Sequence, residues 1–211
     1  MTQLAAPSAL IIIDMQKGMQ RMPAHTRNNP GAEAVIAGLL TAWRQAGQPV
    51  VHVRHLSRTP GSVFWPEQDG VEWQPALAPL PHEHVVDKHV PDAFTHSQLE
   101  RWLHQRGIHR LVVAGVSTNN SVEATARSGG NLGFDVRVVA DGCYAYAQHD
   151  FDGVAHSAQT VHAMALANLH GEYATVQTSI EVLAALAGAR CGQLRHHAGS
   201  VVAVAGQFGR R

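Results

Sequence analysis

Three residues stand where apolar runs end, and their types suit proton transfer. Asp14 follows "ALIII" (9–13), Lys88 ends "HVVDK" (84–88), and Ser121 lies in "GVSTNNSVE" (115–123), which continues the run "RLVVAG". A carboxylate at a buried strand end is poorly solvated and stays ionised when a cation is close. Lys88 is the candidate cation, and the pair would then form an oriented proton-transfer device. Ser121 is a weak nucleophile that needs such help. Its position in the first turn of a helix also suits oxyanion binding, because backbone amides and the helix dipole favour negative charge there. Each residue has a plainer reading as well. Asp14 reads as a turn or helix cap, Lys88 as a solvated strand end, and Ser121 as an ordinary first-turn serine with Thr118 or Asn119 as the cap. Cys143, in "VVADGCYAY", is a rival thiol that follows the fifth run.

Fifteen histidines invite a metal reading, but their spacings give no ligand set. His52 and His55 face opposite sides of a probable strand. His82 and His84 have no evident third partner, and His196 and His197 are adjacent near the end of the chain. There is no H-E-x-x-H and no C-x-x-C. Scattered surface and loop imidazoles are the expectation.

These residues need a scaffold that brings strand ends together. Six apolar, β-branched runs lie at 9–13, 49–53, 84–88, 110–115, 135–140 and 172–177. Several are apolar almost throughout, as parallel strands covered on both faces are. Helical patterns separate most of them. Asn29 is the expected cap of the first, with Pro30 opening it and Val35, Ile36, Leu39, Leu40 and Trp43 at helical spacing. The second spans Ser97 to Arg106, and the third starts near Asn119. The fourth starts near Asp152, with Val154, Ala158, Val161, Ala165 and Leu169 on one stripe. The last opens with Thr178 and Glu181 in capping-box spacing. This alternation predicts an α/β fold, a parallel sheet with helices on both faces. Ligands in such folds bind outside the carboxyl ends of the strands, at the switch in strand order. The segment 54–82 has no periodicity and holds five prolines with Phe64, Trp65 and Trp73. It reads as a lid over the site or as a surface loop anchored by its aromatics.

Composition narrows the partners. The chain has 211 residues, 45% hydrophobic and 15% charged, which suits one domain with a sizeable core. Sixteen basic and sixteen acidic residues leave no net charge for gripping nucleic acid or an anionic membrane. No apolar run approaches the roughly 20 residues that span a bilayer. The start, "MTQLAAPSALIIIDMQ", lacks a basic leader region and reads as a buried first strand. Two cysteines make no disulfide framework, and a cytoplasmic setting is expected. Residues 1–190 read as the domain. Residues 191–211, which carry no acid, read as a tail that is disordered or packs on a neighbouring subunit.

Taken together, "ALIIIDMQ", "VVDKHVPDAF" and "LVVAGVSTNNSVEATARSGGNLGFDVRVVADGC" resemble the isochorismatase-like hydrolase family, the cysteine hydrolases, over residues 8 to 188. The resemblance implies a Rossmann-like three-layer α/β/α fold with a six-stranded parallel sheet in the order 3-2-1-4-5-6. It implies that Asp14 is the general base or acid, that Lys88 holds and polarises it, and that Ser121 stands in the position of the nucleophilic cysteine. It also implies a cis Val116–Ser117 peptide bond and an oxyanion site from the amides of Ser117 and Ser121. Cys143 matches a position that is often a small residue without a catalytic role. The metal set of the nicotinamidase branch sits in a D-W-H-P context, which "HVRHLSRTPGS" lacks, so no metal and no cofactor are expected. Relatives are commonly dimers or tetramers, so a homo-oligomer is expected.

The function expected is hydrolysis of a small molecule, at an amide-type C–N bond, with Asp14 and Lys88 activating Ser121 or a water. Gln16, Phe64, Trp65, Trp73, Phe94 and Asn119 are the expected substrate-binding residues. One alternative is vinyl-ether hydrolysis, with Asp14 donating a proton and no covalent intermediate. Another is a non-catalytic descendant that binds a small ligand.

Overall fold

The longest apolar runs become the middle of a six-stranded parallel sheet in the computed structural model, which describes residues 7–22 and 26–188. The strands are β1 (Ser8–Ile13), β2 (Val50–His55), β3 (His84–Lys88), β4 (Arg110–Val116) and β5 (Asp135–Tyr144). After the two-residue strands β6 (Gln148–His149) and β7 (Ala155–His156) comes β8 (Thr175–Gln177). The sheet order is β3-β2-β1-β4-β5-β8. With the small β6–β7 hairpin set aside, this is the expected 3-2-1-4-5-6 order. The chain reverses direction of travel between β1 and β4, so the ends of these two strands form the crevice.

Alternation along β1 divides the core. Ile11 and Ile13 face one side, with Val51, Val53 and Val113, and meet Leu99, Leu103, Val122 and Ala126. Leu10 and Ile12 face the other, where Ile36, Leu39, Leu40 and Trp43 cover them. All five β1 residues from Ala9 to Ile13 are fully buried, as a central strand covered on both faces must be. The helices are α1 (Ala32–Gln45), α2 (Leu99–His104), α3 (Glu123–Asn131) and α4 (Ala158–Leu169), followed by a helix that begins at residue 179 and runs through residue 188. The result is three layers, helix on sheet on helix.

Several boundaries differ from expectation for identifiable reasons. Asn29 does not cap α1, which begins at Ala32 behind Gly31. Instead Asn29 sits in the left-handed region, and its side-chain amide donates to the carbonyls of Ala140 and Cys143. The fourth helix starts at Ala158, not near Asp152. Its cap is Ser157, which accepts from the Thr160 amide. The Asp150 carboxylate accepts the amides of Asp152 and Val154, closing the turn between β6 and β7 and leaving Val154 exposed. β8 is shorter than expected because residues 171–174 are spent on a turn after α4, in which Gly171 donates to the Ala174 carbonyl.

The irregular segment after β2 is a packed loop. The Lys17 amide donates to Glu72, Gln74 donates to Met15, and Ser57 donates to Phe64, all through backbone bonds. Gln16 and Trp73 form an isolated antiparallel bridge. The expected tail, 191–211, lies outside the described residues.

Candidate active site

β1 ends in a backbone corner at Asp14. The residue has φ 53°, a left-handed conformation that aspartate tolerates better than most side chains. Its amide donates to the Val53 carbonyl, and its own carbonyl accepts from Gln16. The side chain is turned inward and only 5% of the residue is exposed.

Lys88 is the last residue of β3 and the register partner of His55 at the end of β2. β3 lies two strands away from β1, about 9–10 Å in strand spacings. The lysine crosses that gap. Its Nζ donates to Asp14 Oδ2 at 2.7 Å and to Ser121 Oγ at 3.2 Å. The Lys88 side chain has no solvent exposure, so the ammonium exchanges water for these partners. Asp14 Oδ1 is also buried, yet accepts no hydrogen bond among the described residues.

The third corner comes from the turn after β4. The Val116–Ser117 peptide bond is cis. A π-helical turn over Thr118–Val122 follows, in which the Val122 amide donates to the Ser117 carbonyl at 3.2 Å, five residues back. Such π turns recur at functional sites because the extra residue re-aims side chains. Here the turn places Ser121 against Lys88, and α3 begins directly after it. Gly115 permits the approach of β4 to β1. Its φ is 131°, and a Cβ there would collide with the Ile13 backbone.

These groups open on a cavity of about 200 Å³. Asp14, Ser117, Asn120 and Ser121 supply its polar wall. Met19, His55, Phe64, Pro91 and Val116 complete it. Phe64 is held over the site by close packing on Gly18, where a Cβ would meet the phenyl ring.

Of the residues expected at the site, Asp14, Lys88, Ser121, Ser117 and Phe64 are brought together. The others are not. Gln16 is fully buried, and its amide is spent on the His55 backbone and the Val71 carbonyl, so it splints the loop to β2. Trp73 packs edge-on against His52 and under the Arg54 guanidinium. Trp65 is half-buried in the loop and does not line the cavity. Phe94 is partly buried and stacks on Phe134 at 5.7 Å, packed against the core beside α3. Asn119 points to the opposite side of the π turn, where it donates to Gln148.

Sequence reasoning missed His55, Asn120, Met19 and Pro91. His55 was within reach of the same strand-end rule that selects Asp14 and Lys88. The view of the histidines as scattered surface imidazoles is also corrected. His52 is fully buried with Nε2 at 3.0 Å from Glu83, and His162 is buried with Nδ1 at 2.8 Å from Thr118 Oγ1. Burial, aided by Lys88 and opposed by Asp14, lowers the His55 imidazole below the ordinary histidine range. Cys143 is fully buried, and burial pushes its thiol up to about 12, so it is no rival nucleophile. Among the described residues, no group of three or more His, Cys, Asp or Glu is arranged to hold a metal ion. None of their helices is long and apolar enough to cross a membrane.

The chain as a whole is similar to known proteins. A model of the isochorismatase domain matches residues 8–181. The chain belongs to the isochorismatase family. A solved structure assigned to this family, from Chromobacterium violaceum, is 45% identical with a TM-score of 0.83, over 89% of this chain and 97% of that one. An uncharacterized isochorismatase family protein of Bacillus subtilis, YrdC, is 34% identical over 83% of this chain and 94% of its own length. A maleamate amidohydrolase of Pseudomonas putida is 32% identical over 63% of this chain and 70% of its own. The three-layer α/β architecture is that of isochorismatase-family structures, and the chain is a hydrolase of this family.

Proposed function

We propose that this isochorismatase-family hydrolase cleaves an amide-type C–N bond in a small molecule. Asp14 carries the proton, Lys88 fixes Asp14, and Ser121 is the nucleophile, at the position that the family resemblance gives to a cysteine. The observation that carries this reading is the Lys88 ammonium bonded to both Asp14 Oδ2 and Ser121 Oγ at the cavity wall. It leaves Asp14 Oδ1 as a buried acceptor with no hydrogen bond among the described residues. The amidohydrolase relative supports the choice of bond.

In this reading Ser121 Oγ attacks the carbonyl carbon as its proton passes to Asp14 Oδ1. The oxyanion is met by the amides of Ser117 and Ser121 at the start of the π turn. When the intermediate collapses, Asp14 returns the proton to the departing nitrogen, and an acyl ester remains on Ser121. A water then attacks the ester while Asp14 takes its proton, and the acid leaves as the proton returns to Ser121. An alkoxide forms far less readily than a thiolate. The lysine contact offsets part of that difference by placing a positive charge beside Oγ.

One observation favours a second reading. No hydrogen bond links Ser121 to Asp14, because Lys88 stands between them. Asp14 would then act on a water, or protonate a vinyl ether, while Ser121 only binds. Asp14→Asn should lower turnover of small amides by about 10²–10⁴-fold, the usual worth of acid–base catalysis. Turnover that survives this change would end both readings. Mass spectrometry of the chain quenched during turnover separates them: an acyl adduct on Ser121 supports attack by serine. Activity retained in Ser121→Ala, without an adduct, supports the water route.

The chain is further proposed to act as a homo-oligomer. Phe151 supports this, because it stands fully exposed at the tip of the β6–β7 hairpin.

A further inference from the structure

The walls of the cavity are short of positive charge. Asp14 is the carboxylate among its lining residues, and no lysine or arginine among the described residues lines it. Lys88 lies behind Asp14, with its ammonium already shared between Asp14 and Ser121. Most cations on the neighbouring elements are committed, and Arg58, on the loop that carries Phe64, is exposed and lies outside the lining. Lys17 pairs with Glu72, Arg21 with Asp69, and Arg54 with Asp87. A carboxylate entering this space would shed water beside Asp14 and meet no counter-ion in the wall among the described residues, which is a costly exchange.

Apart from Asp14, what faces the cavity among the described residues is neutral. His55 lies edge-on to Phe64, with ring centroids 6.0 Å apart, and its ring nitrogens make no hydrogen bond among the described residues. Burial and Lys88 favour its uncharged form. A neutral imidazole presents one donor and one acceptor. Asn120 adds an uncharged amide, and Met19, Phe64, Pro91 and Val116 supply apolar surface. The volume, about 200 Å³, holds roughly seven groups of water size at ~30 Å³ each.

We infer that the site selects small uncharged substrates, whose far end carries a neutral hydrogen-bonding group read by His55, and discriminates against analogues ending in a carboxylate. This rests on the proposed hydrolase reading only for where the reacting bond lies.

Succinamide and succinamate test it, since they match in size and differ in charge at one end. Their dissociation constants are measured by calorimetry on Ser121→Ala, which keeps every charge of the site. Their kcat/KM values are measured on the unaltered chain. Succinamide is expected to bind at least about tenfold more tightly, because the carboxylate would face Asp14 without a counter-ion. His55→Arg should narrow or reverse that ratio, and His55→Gln, which stays neutral and serves if the arginine variant does not fold, should preserve it. Equal or tighter binding of succinamate overturns the inference, and so does failure of succinamide to bind at millimolar concentration. Selective binding of succinamide with no turnover on the unaltered chain would count against the hydrolase reading and leave the charge selection standing.

Discussion

Lys88 reaches Asp14 across an intervening strand, and the two side chains meet at 2.7 Å with almost no exposure to solvent. The pair is therefore a structural tie between β3 and β1 and, in the proposed function, the chemical centre of the site. Lys88→Met should leave an unpaired carboxylate in the interior and cost about 3–5 kcal/mol of stability. Denaturant unfolding measures this. Combining it with Asp14→Asn should return most of the stability, since a neutral pair replaces a buried charge, while turnover stays lost.

Gly115 sets the distance between the ends of β1 and β4. Gly115→Ala should cost about 1–3 kcal/mol from its unfavourable φ alone. The collision with the Ile13 backbone adds to this and pushes Ser121 away from Asp14. Turnover should fall further than stability does, which urea melts and assays on the same preparation would show. Equal losses would mean that the strand spacing does not govern the site.

Cys143 should resist alkylation. With its thiol near 12 and no exposed surface, it should stay unmodified by iodoacetamide at pH 8 in the folded chain and react once unfolded. Peptide mapping distinguishes it from Cys191. Rapid labelling of Cys143 in the folded protein would contradict the packing described around β5.

Acid should weaken the fold in two stages. Burial holds His52 below its ordinary 6.5 in spite of Glu83, so the unfolded chain binds a proton first as pH falls. Its contribution is whole above about 6.5 and declines below that. Burial would raise Glu83, but Arg44, the Leu80 amide and His52 outweigh it and hold the carboxyl at about 2. Its contribution is present above the ordinary value of 4.5 and is lost as pH falls toward about 2. Thermal melts from pH 8 to pH 3 should show both declines. His52→Gln should flatten the upper one, with the remainder coming from His55, His84 and His162, which are shifted in the same direction.

The central strands and the ionic centre were legible in the sequence because one physical rule served both. Runs such as "ALIII" must be buried on two faces, and a charged residue ending one lies at the sheet edge where ligands bind. The aromatics were not legible in this way. Phe94 and Phe64 look alike in sequence, yet one packs against the core on Phe134 and the other covers the cavity, where it packs on Gly18. Asn119 and Asn120 are adjacent, and the π turn decides which of them faces the site. No local pattern announces that turn. The early start expected for α4 failed because the apolar Val154 fits a helical stripe, while Asp150 closes a competing turn on two amides.

The crossing of Lys88 over β2 has a consequence for assembly of the chain. The ion pair joins residues 74 positions apart, and the serine contact joins residues 33 apart. Neither can form until β3, β2, β1 and β4 lie side by side. During refolding, helical signal can return while these long-range closures are still incomplete. Recovered turnover is therefore a late reporter, one that reads completion of the four-strand array.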